Sequence, residues 1–260
     1  MAGGLAQRMG LGEKACIMLY DKPLISYVIE ALSGSGKIDG IHAAVTKATP
    51  KTKQFLLDNY PEIDVIDTDK GNYVQDMVHA VRSLNTKEPV MIVMCDLPLL
   101  EPAIIDDIIS VYEQHEEPAL STYVPIAVCK RSGLRPDTVF HKNGKLIVPT
   151  GINILDAEDI DHEQPDYNYI LEDGRLAMNV NTPEDLELCR QIMKEKGKGT
   201  SGENSGSPVP AERRTDPKTF QHLQALFSGQ DMTVRKTKPF FYFDLFRTIS
   251  DQDERSSAVI

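Results

Sequence analysis

The chain has 260 residues, of which 41% are hydrophobic and 26% charged, and its formal net charge is −11. That suits one α/β domain with or without an appendage, long enough to bury a core. The acidic balance excludes general nucleic-acid binding, which needs a basic face, but allows a single nucleotide held by a few cations and backbone amides.

The chain opens on a glycine-rich loop with Gly3, Gly4, Gly10 and Gly12, and with Arg8 and Lys14 as its cations. Apolar spacing predicts a helix over Ile25–Leu32, a short strand over Gly40–Thr46 and a helix over Thr52–Asn59. A short strand follows at Val65–Asp67, then a helix over Val74–Leu84 with Val74, Met77, Val78 and Val81 on one face. Pro89–Cys95 is a continuous apolar run that ends at Asp96, as a buried parallel strand does. Pro102–Tyr112 starts with proline, which suits a first helical turn. Thr182 followed by Pro183, Glu184 and Asp185 starts an amphipathic helix that runs to about Lys196. Strands alternating with helices predict an α/β fold with a doubly wound, mostly parallel sheet over residues 1–196.

Residues 197–219 have linker composition, rich in glycine, serine and proline. Residues 220–260 form a tail of unassigned role, with Phe240, Phe241, Tyr242, Phe243 and Phe246 clustered in it. It reads equally as a docking segment, as a module that recruits a partner enzyme, or as disordered chain. Cys16, Cys95, Cys129 and Cys189 show no C-x-x-C spacing, so a reduced cytoplasmic protein is expected. No apolar run is long enough for a membrane span, and no cleavable signal is visible.

Two stretches carry chemistry. Glycines without a Cβ let backbone N–H groups approach phosphate oxygens, and Arg8 and Lys14 can neutralise charge that develops during phosphoryl transfer. The loop lacks the P-loop pattern and the G-x-G-x-x-G pattern. Asp96 sits just past the end of an apolar strand, where open α/β sheets bind ligands and where a carboxylate can hold Mg²⁺. The plainer alternatives are a mobile tail for the loop and a turn or helix cap for Asp96.

Ala2-Gly3-Gly4, Arg8-Met9-Gly10 and Glu13-Lys14 resemble the signature of the nucleotide-diphospho-sugar transferase-like nucleotidyltransferases, which include molybdenum-cofactor guanylyltransferase. Ala6 stands where a glycine is common, and Ala15 where proline often follows the lysine. The resemblance implies phosphate cradling by Ala2, Gly3 and Gly4, catalytic charge from Arg8 and Lys14, and Mg²⁺ held by Asp96 and Asn181. In that fold a first, central strand precedes the loop. Here that strand is missing before Met1, so a gap in the sheet beside the active site is expected, with the strand expected from residues upstream.

The resemblance narrows further at Ala48–Lys53, Asp67–Asp76 and Val148–Asn153, which look like the archaeal GTP:adenosylcobinamide-phosphate guanylyltransferases. It implies that Gly71 and Asp76 lie beside guanine, with Asp76 accepting from the base, and that Gly151 and Asn153 serve the acceptor. It implies a Mg²⁺-dependent transfer of GMP from GTP to adenosylcobinamide phosphate in cobalamin biosynthesis, with no nucleic-acid partner and with a homodimer as the assembly. Local alternatives stay open: Asp76 as a helix cap, Asn181 as a strand end, and Gly151 with Asn153 as an edge strand. At the level of function the alternatives are a sister enzyme such as molybdenum-cofactor guanylyltransferase, or a non-catalytic GTP-binding relative.

Overall fold

A computed structural model describes residues 1–5, 9–69, 71–199 and 256–260. The expected linker beyond residue 199, the aromatic cluster at 240–246 and Arg8 lie outside the described residues.

After the loop comes a two-stranded hairpin, β1 (Met18–Leu19) and β2 (Lys22–Pro23). Helix α1 (Leu24–Ser33) follows and buries Leu24, Ile25, Val28, Ile29 and Leu32 on one stripe. Strand β3 (Ile38–Thr46), helix α2 (Pro50–Asn59), strand β4 (Asp64–Thr68) and helix α3 (Tyr73–Leu84) continue the alternation. The Asn72 side chain caps α3 by accepting from Gln75 N, and Asn85 ends it in the left-handed region at φ 50°. Strand β5 (Val90–Val93) is buried on both faces, as its unbroken apolar run requires. Then come α4 (Pro102–Tyr112), β6 (Ala119–Pro125), α5 (Ile126–Arg131), β7 (Phe140–Lys142), β8 (Lys145–Leu155), β9 (Asp166–Ile170), α6 (Pro183–Gly199) and β10 (Ser256–Val259).

The main sheet has the order β4-β3-β10-β5-β8-β6-β9, with β7 hydrogen-bonded to β8. Pairings β4/β3, β3/β10, β10/β5 and β6/β9 are parallel. Strand β8 runs against β5, β6 and β7. The expectation of a doubly wound, mostly parallel sheet therefore holds, with a mixed part at the antiparallel β8. Helices cover both faces. On one, α1 and α4 pack Ile25, Ile29, Ile105 and Ile108 with Ala43, Val45, Met91 and Val93. On the other, α3 packs Ala80 and Val81 with Ala44, Val90 and Ile92.

The expected gap in the sheet is absent. Residues Met1–Gly4 form no strand of their own, and the central place between β3 and β5 is filled by β10. Ala258 aligns with Ile41 and Met91, and Val259 with His42 and Ile92. Ile260 N donates to His42 O at 3.0 Å, and Ala44 N donates to Ile260 O at 3.0 Å. The next rung passes to the other end of the chain: Ala2 N donates to Ala44 O at 2.9 Å, and the Met1 nitrogen to Val93 O at 2.6 Å. A residue in a parallel ladder bonds two positions of its partner, one before and one after its own level. Ala44 takes Ile260 and Ala2 as those positions, so residues 256–260 and 1–2 lie head to tail on one strand line. Ala258 and Ile260 face the α1/α4 core and Val259 the α3 core, the alternation a strand imposes.

Gly151 marks the junction between β5 and β8. Its φ is +83°, and a Cβ there would stand 2.7 Å from Met94 Cγ. Gly151 O accepts from Met94 N at 3.1 Å, holding the segment that leads to Asp96. Gly151→Ala is expected to cost about 1–3 kcal/mol of stability, read as a lower urea midpoint. An unchanged midpoint would mean that Met94 yields without strain.

Candidate active site

A cavity of about 350 Å³ opens over the carboxyl ends of the central strands. Strand order reverses there, between β10 and β5, which is where open α/β sheets bind their ligands. Gly3 and Gly4 line it from the composite strand, Thr46 from the end of β3, Thr68 from the end of β4, and Cys95 and Asp96 from the end of β5.

The two loop glycines have different reasons to be glycine. A Cβ on Gly3 would meet Thr46 Cγ2 at 2.6 Å, so the loop can cross β3 only without one. Among the described residues nothing lies within 4 Å of that position on Gly4, which lines the cavity. Ala2 is fully buried below them and holds β3 through its N–H. Lys14 N donates to Gly4 O at 3.1 Å and Leu5 bridges Glu13, so the loop closes on itself before it reaches Lys14.

Two distant segments converge on the Lys14 ammonium. It makes an ion pair with Asp96 Oδ2 and donates to Asn181 Oδ1 at 2.6 Å. Asp96 is 3% exposed, and its second oxygen, Oδ1, is buried without a hydrogen-bond partner. Val180 N donates to Asp96 O at 3.1 Å, fixing the Asn181 segment against the end of β5. Asn181 is then held by the start of α6: Asp185 Oδ2 accepts from Asn181 N and Thr182 N, while Thr182 Oγ1 accepts from Asp185 N. That reciprocal capping box makes the turn rigid. Asp96 is thus a buried partner of Lys14, and the capping alternative for it falls away. Among the described residues no three His, Cys, Asp or Glu side chains gather as a metal cluster. A cation here would be held by Asp96, Asn181 and oxygens of a ligand, and the orphaned Asp96 Oδ1 fits that demand.

Gly71 and Asp76 also line the cavity. Gly71 has φ +99°, which favours glycine, and Asp76 is buried in the first turn of α3. Because Asn72 is the cap, the capping alternative for Asp76 also falls away. Gly151 and Asn153 are not brought into the lining. Gly151 supports Met94, which is in it, and Asn153 sits within β8 between Ile92 and Ser121. Cys95 lines the cavity, but burial and the neighbouring Asp96 push its thiol up to about 11, so it is no thiolate nucleophile near neutral pH. A second hollow, of about 330 Å³, lies against Leu99, Leu188 and Ile192, and its Arg175 is taken up by Asp173 and Glu101.

Residues 1–145 match the MobA-like NTP transferase domain. The chain belongs to the MobA-like NTP transferase family. It is 32% identical over 209 residues to adenosylcobinamide-phosphate guanylyltransferase of Methanocaldococcus jannaschii, an alignment that covers 76% of this chain and 97% of the relative. Molybdenum cofactor guanylyltransferase of Yersinia pestis (strain Pestoides F) is 25% identical over 198 residues, covering 74% of this chain and 93% of that one. Among solved structures, a hypothetical transferase from Thermus thermophilus aligns with TM-score 0.54 at 16% identity, over 72% of this chain and 96% of that one. CMP:2-keto-3-deoxy-manno-octonic acid synthetase complexed with CTP aligns with TM-score 0.55 at 13% identity, over 70% and 92%. Those two likenesses establish the nucleotidyltransferase fold.

In this MobA-like transferase, sequence reasoning passed over Glu13, beyond noting its place beside Lys14. Its carboxylate is buried and accepts from Lys51 N at 2.9 Å, Thr52 N at 2.6 Å and Thr52 Oγ1 at 2.7 Å. The residue before α2, Thr49, makes no side-chain cap, so Glu13 caps the helix from the phosphate loop. In the sequence Thr49 before Pro50 reads as an ordinary cap, so no local signal pointed to Glu13. Glu13→Ala is expected to lower stability by about 1–2 kcal/mol, and Glu13→Gln by less because it keeps an acceptor oxygen. Identical urea midpoints for all three proteins would deny the cap.

Proposed function

We propose that this nucleotidyltransferase moves GMP from GTP to adenosylcobinamide phosphate, releasing pyrophosphate, with Mg²⁺. The observation that carries the reading is the meeting of Lys14, Asp96 and Asn181 at the cavity that Gly4 lines. The guanylyltransferase of M. jannaschii, matched along almost its whole length, supports the choice of substrates. The filled central strand supports a working enzyme over a non-catalytic relative, since the loop now has an anchor.

The terminal phosphate oxygen of the acceptor attacks the α-phosphorus of GTP. The new O–P bond forms as the bond from the α-phosphorus to the bridging oxygen breaks, and pyrophosphate takes the electron pair. The nucleophile is already an anion, so no general base is needed, and positioning with charge neutralisation supplies the rate. Backbone N–H groups around Gly3 and Gly4 would receive phosphate oxygens, and Lys14 would neutralise the negative charge that builds on them. Asp96 and Asn181 would hold Mg²⁺, which supplies Lewis-acid neutralisation of the phosphates. Arg8 is assigned the same charge role by resemblance. Asp76, buried in the cavity lining, would accept from guanine N1–H and its exocyclic amine, a pair of donors that adenine does not present. The four cysteines are free thiols, which supports a reducing cytoplasmic setting.

Pyrophosphate release with Mg²⁺ and adenosylcobinamide phosphate should appear with GTP and not with ATP, CTP or UTP. Release with another acceptor instead would sink the substrate assignment. Lys14→Ala and Asp96→Ala should each lose on the order of 10²-fold or more in turnover with a circular-dichroism spectrum like the parent's; near-normal turnover in either refutes its role. Asp76→Asn should narrow the GTP-over-ATP preference, since the amide can donate as well as accept. An unchanged preference would remove Asp76 from base recognition.

A further inference from the structure

The slot between β3 and β5 accepts a strand that reaches it from far away in the chain. In the sequence, residues 256–260 follow α6, the described element before them, after residues 200–255. They make rungs on both sides, and Ala258, Val259 and Ile260 are fully buried. With the slot empty, backbone donors and acceptors on two neighbouring strands would lose their partners, and both strands would become open edges. The segment is short and pairs only with strands remote from it in sequence, so its release from the slot is a local opening distinct from global unfolding.

The slot also ends at the nucleotide cavity. The rung after Ile260 is Ala2 to Ala44, and Gly3 and Gly4 follow at once. We propose that the cleft between β3 and β5 is a strand-acceptor site whose ligand is the extended segment 256–260. Its insertion, by the strand-addition mode of peptide recognition, assembles the phosphate loop. Docking and nucleotide binding are then linked, each favouring the other by the same factor. This linkage rests on the nucleotide reading given above, whereas the docking equilibrium does not.

Hydrogen exchange on the full chain tests the docking first. The Ile260 and Ala44 amides, which close the β10 rungs, should exchange at least 10-fold faster than the Met94 amide bonded to Gly151, and GTP with Mg²⁺ should slow them. Equal exchange at all three positions, limited by global unfolding, overturns the proposal. Ile260 protection that rises with protein concentration, together with a dimer in sedimentation, places the strand in a neighbouring copy and overturns docking within one chain. GTP without effect on a chain that still opens locally would remove the linkage and the nucleotide reading while the docking stands.

A chain ending at residue 255 provides the second test. It should bind a fluorescent GTP analogue at least 10-fold more weakly, and acetylated Ser-Ser-Ala-Val-Ile peptide should restore binding saturably. The same peptide carrying Val259→Asp should not, because the carboxylate would enter the α3 core. If the shortened chain folds only with the peptide present, its refolding yield replaces affinity as the readout. Parent-like binding without peptide, or no response to peptide by either readout, overturns the proposal.

Discussion

The molecule depends on the pairing of both edges of its central strand line. Ala44 and Val93 stand on the two strands that flank it, and each offers backbone groups that must be satisfied in a dry core. Ile260 and Ala2 satisfy Ala44 from opposite ends of the sequence, and the Met1 nitrogen satisfies Val93. Once these rungs are made, Gly3 and Gly4 emerge at the carboxyl edge of the sheet in one direction only. The loop cannot drift, because Gly3 is pressed against Thr46 and Glu13 is tied to the start of α2.

Electrostatics in the cavity follow from that anchoring. Lys14 is delivered to Asp96 by a loop pinned at both ends, so its ammonium stays beside the buried carboxylate without help from a ligand. Burying such a pair is costly unless the remaining polar atoms are satisfied. Asn181 takes one further ammonium hydrogen, yet Asp96 Oδ1 stays without a partner. A single unsatisfied carboxylate oxygen in an otherwise paired cluster is where a hard cation with its own phosphate ligands fits. The α3 side of the cavity is quieter: Gly71 and the buried Asp76 line it, and the helix cap there is Asn72.

The β8 side of the sheet is less regular. Strand β8 runs against its neighbours, and its φ-positive Gly151 is spent on backing Met94. Asn153 is embedded between Ile92 and Ser121, so the acceptor expectation for this pair rests on resemblance alone. Strands β3 and β5 and the carboxylate after β5 were legible because hydrophobic period and a terminal carboxylate are local signals. Glu13 was not, since a cap supplied from another segment leaves no local pattern.

The sequence by itself determined the alternation of apolar strands and amphipathic helices through α4, the start of α6, and the carboxylate at the end of β5. Hydrophobic period, proline at helix starts and the run from Val90 to Val93 are properties of neighbours along the chain. Only the tertiary structure decided that residues 256–260 complete the sheet, that β8 is antiparallel, and that Lys14 meets Asp96 and Asn181. Four apolar or small residues in a strand have the same local propensity wherever they stand. Which slot they enter is set by the unpaired backbone of β3 and β5, and that is a demand no stretch of sequence announces.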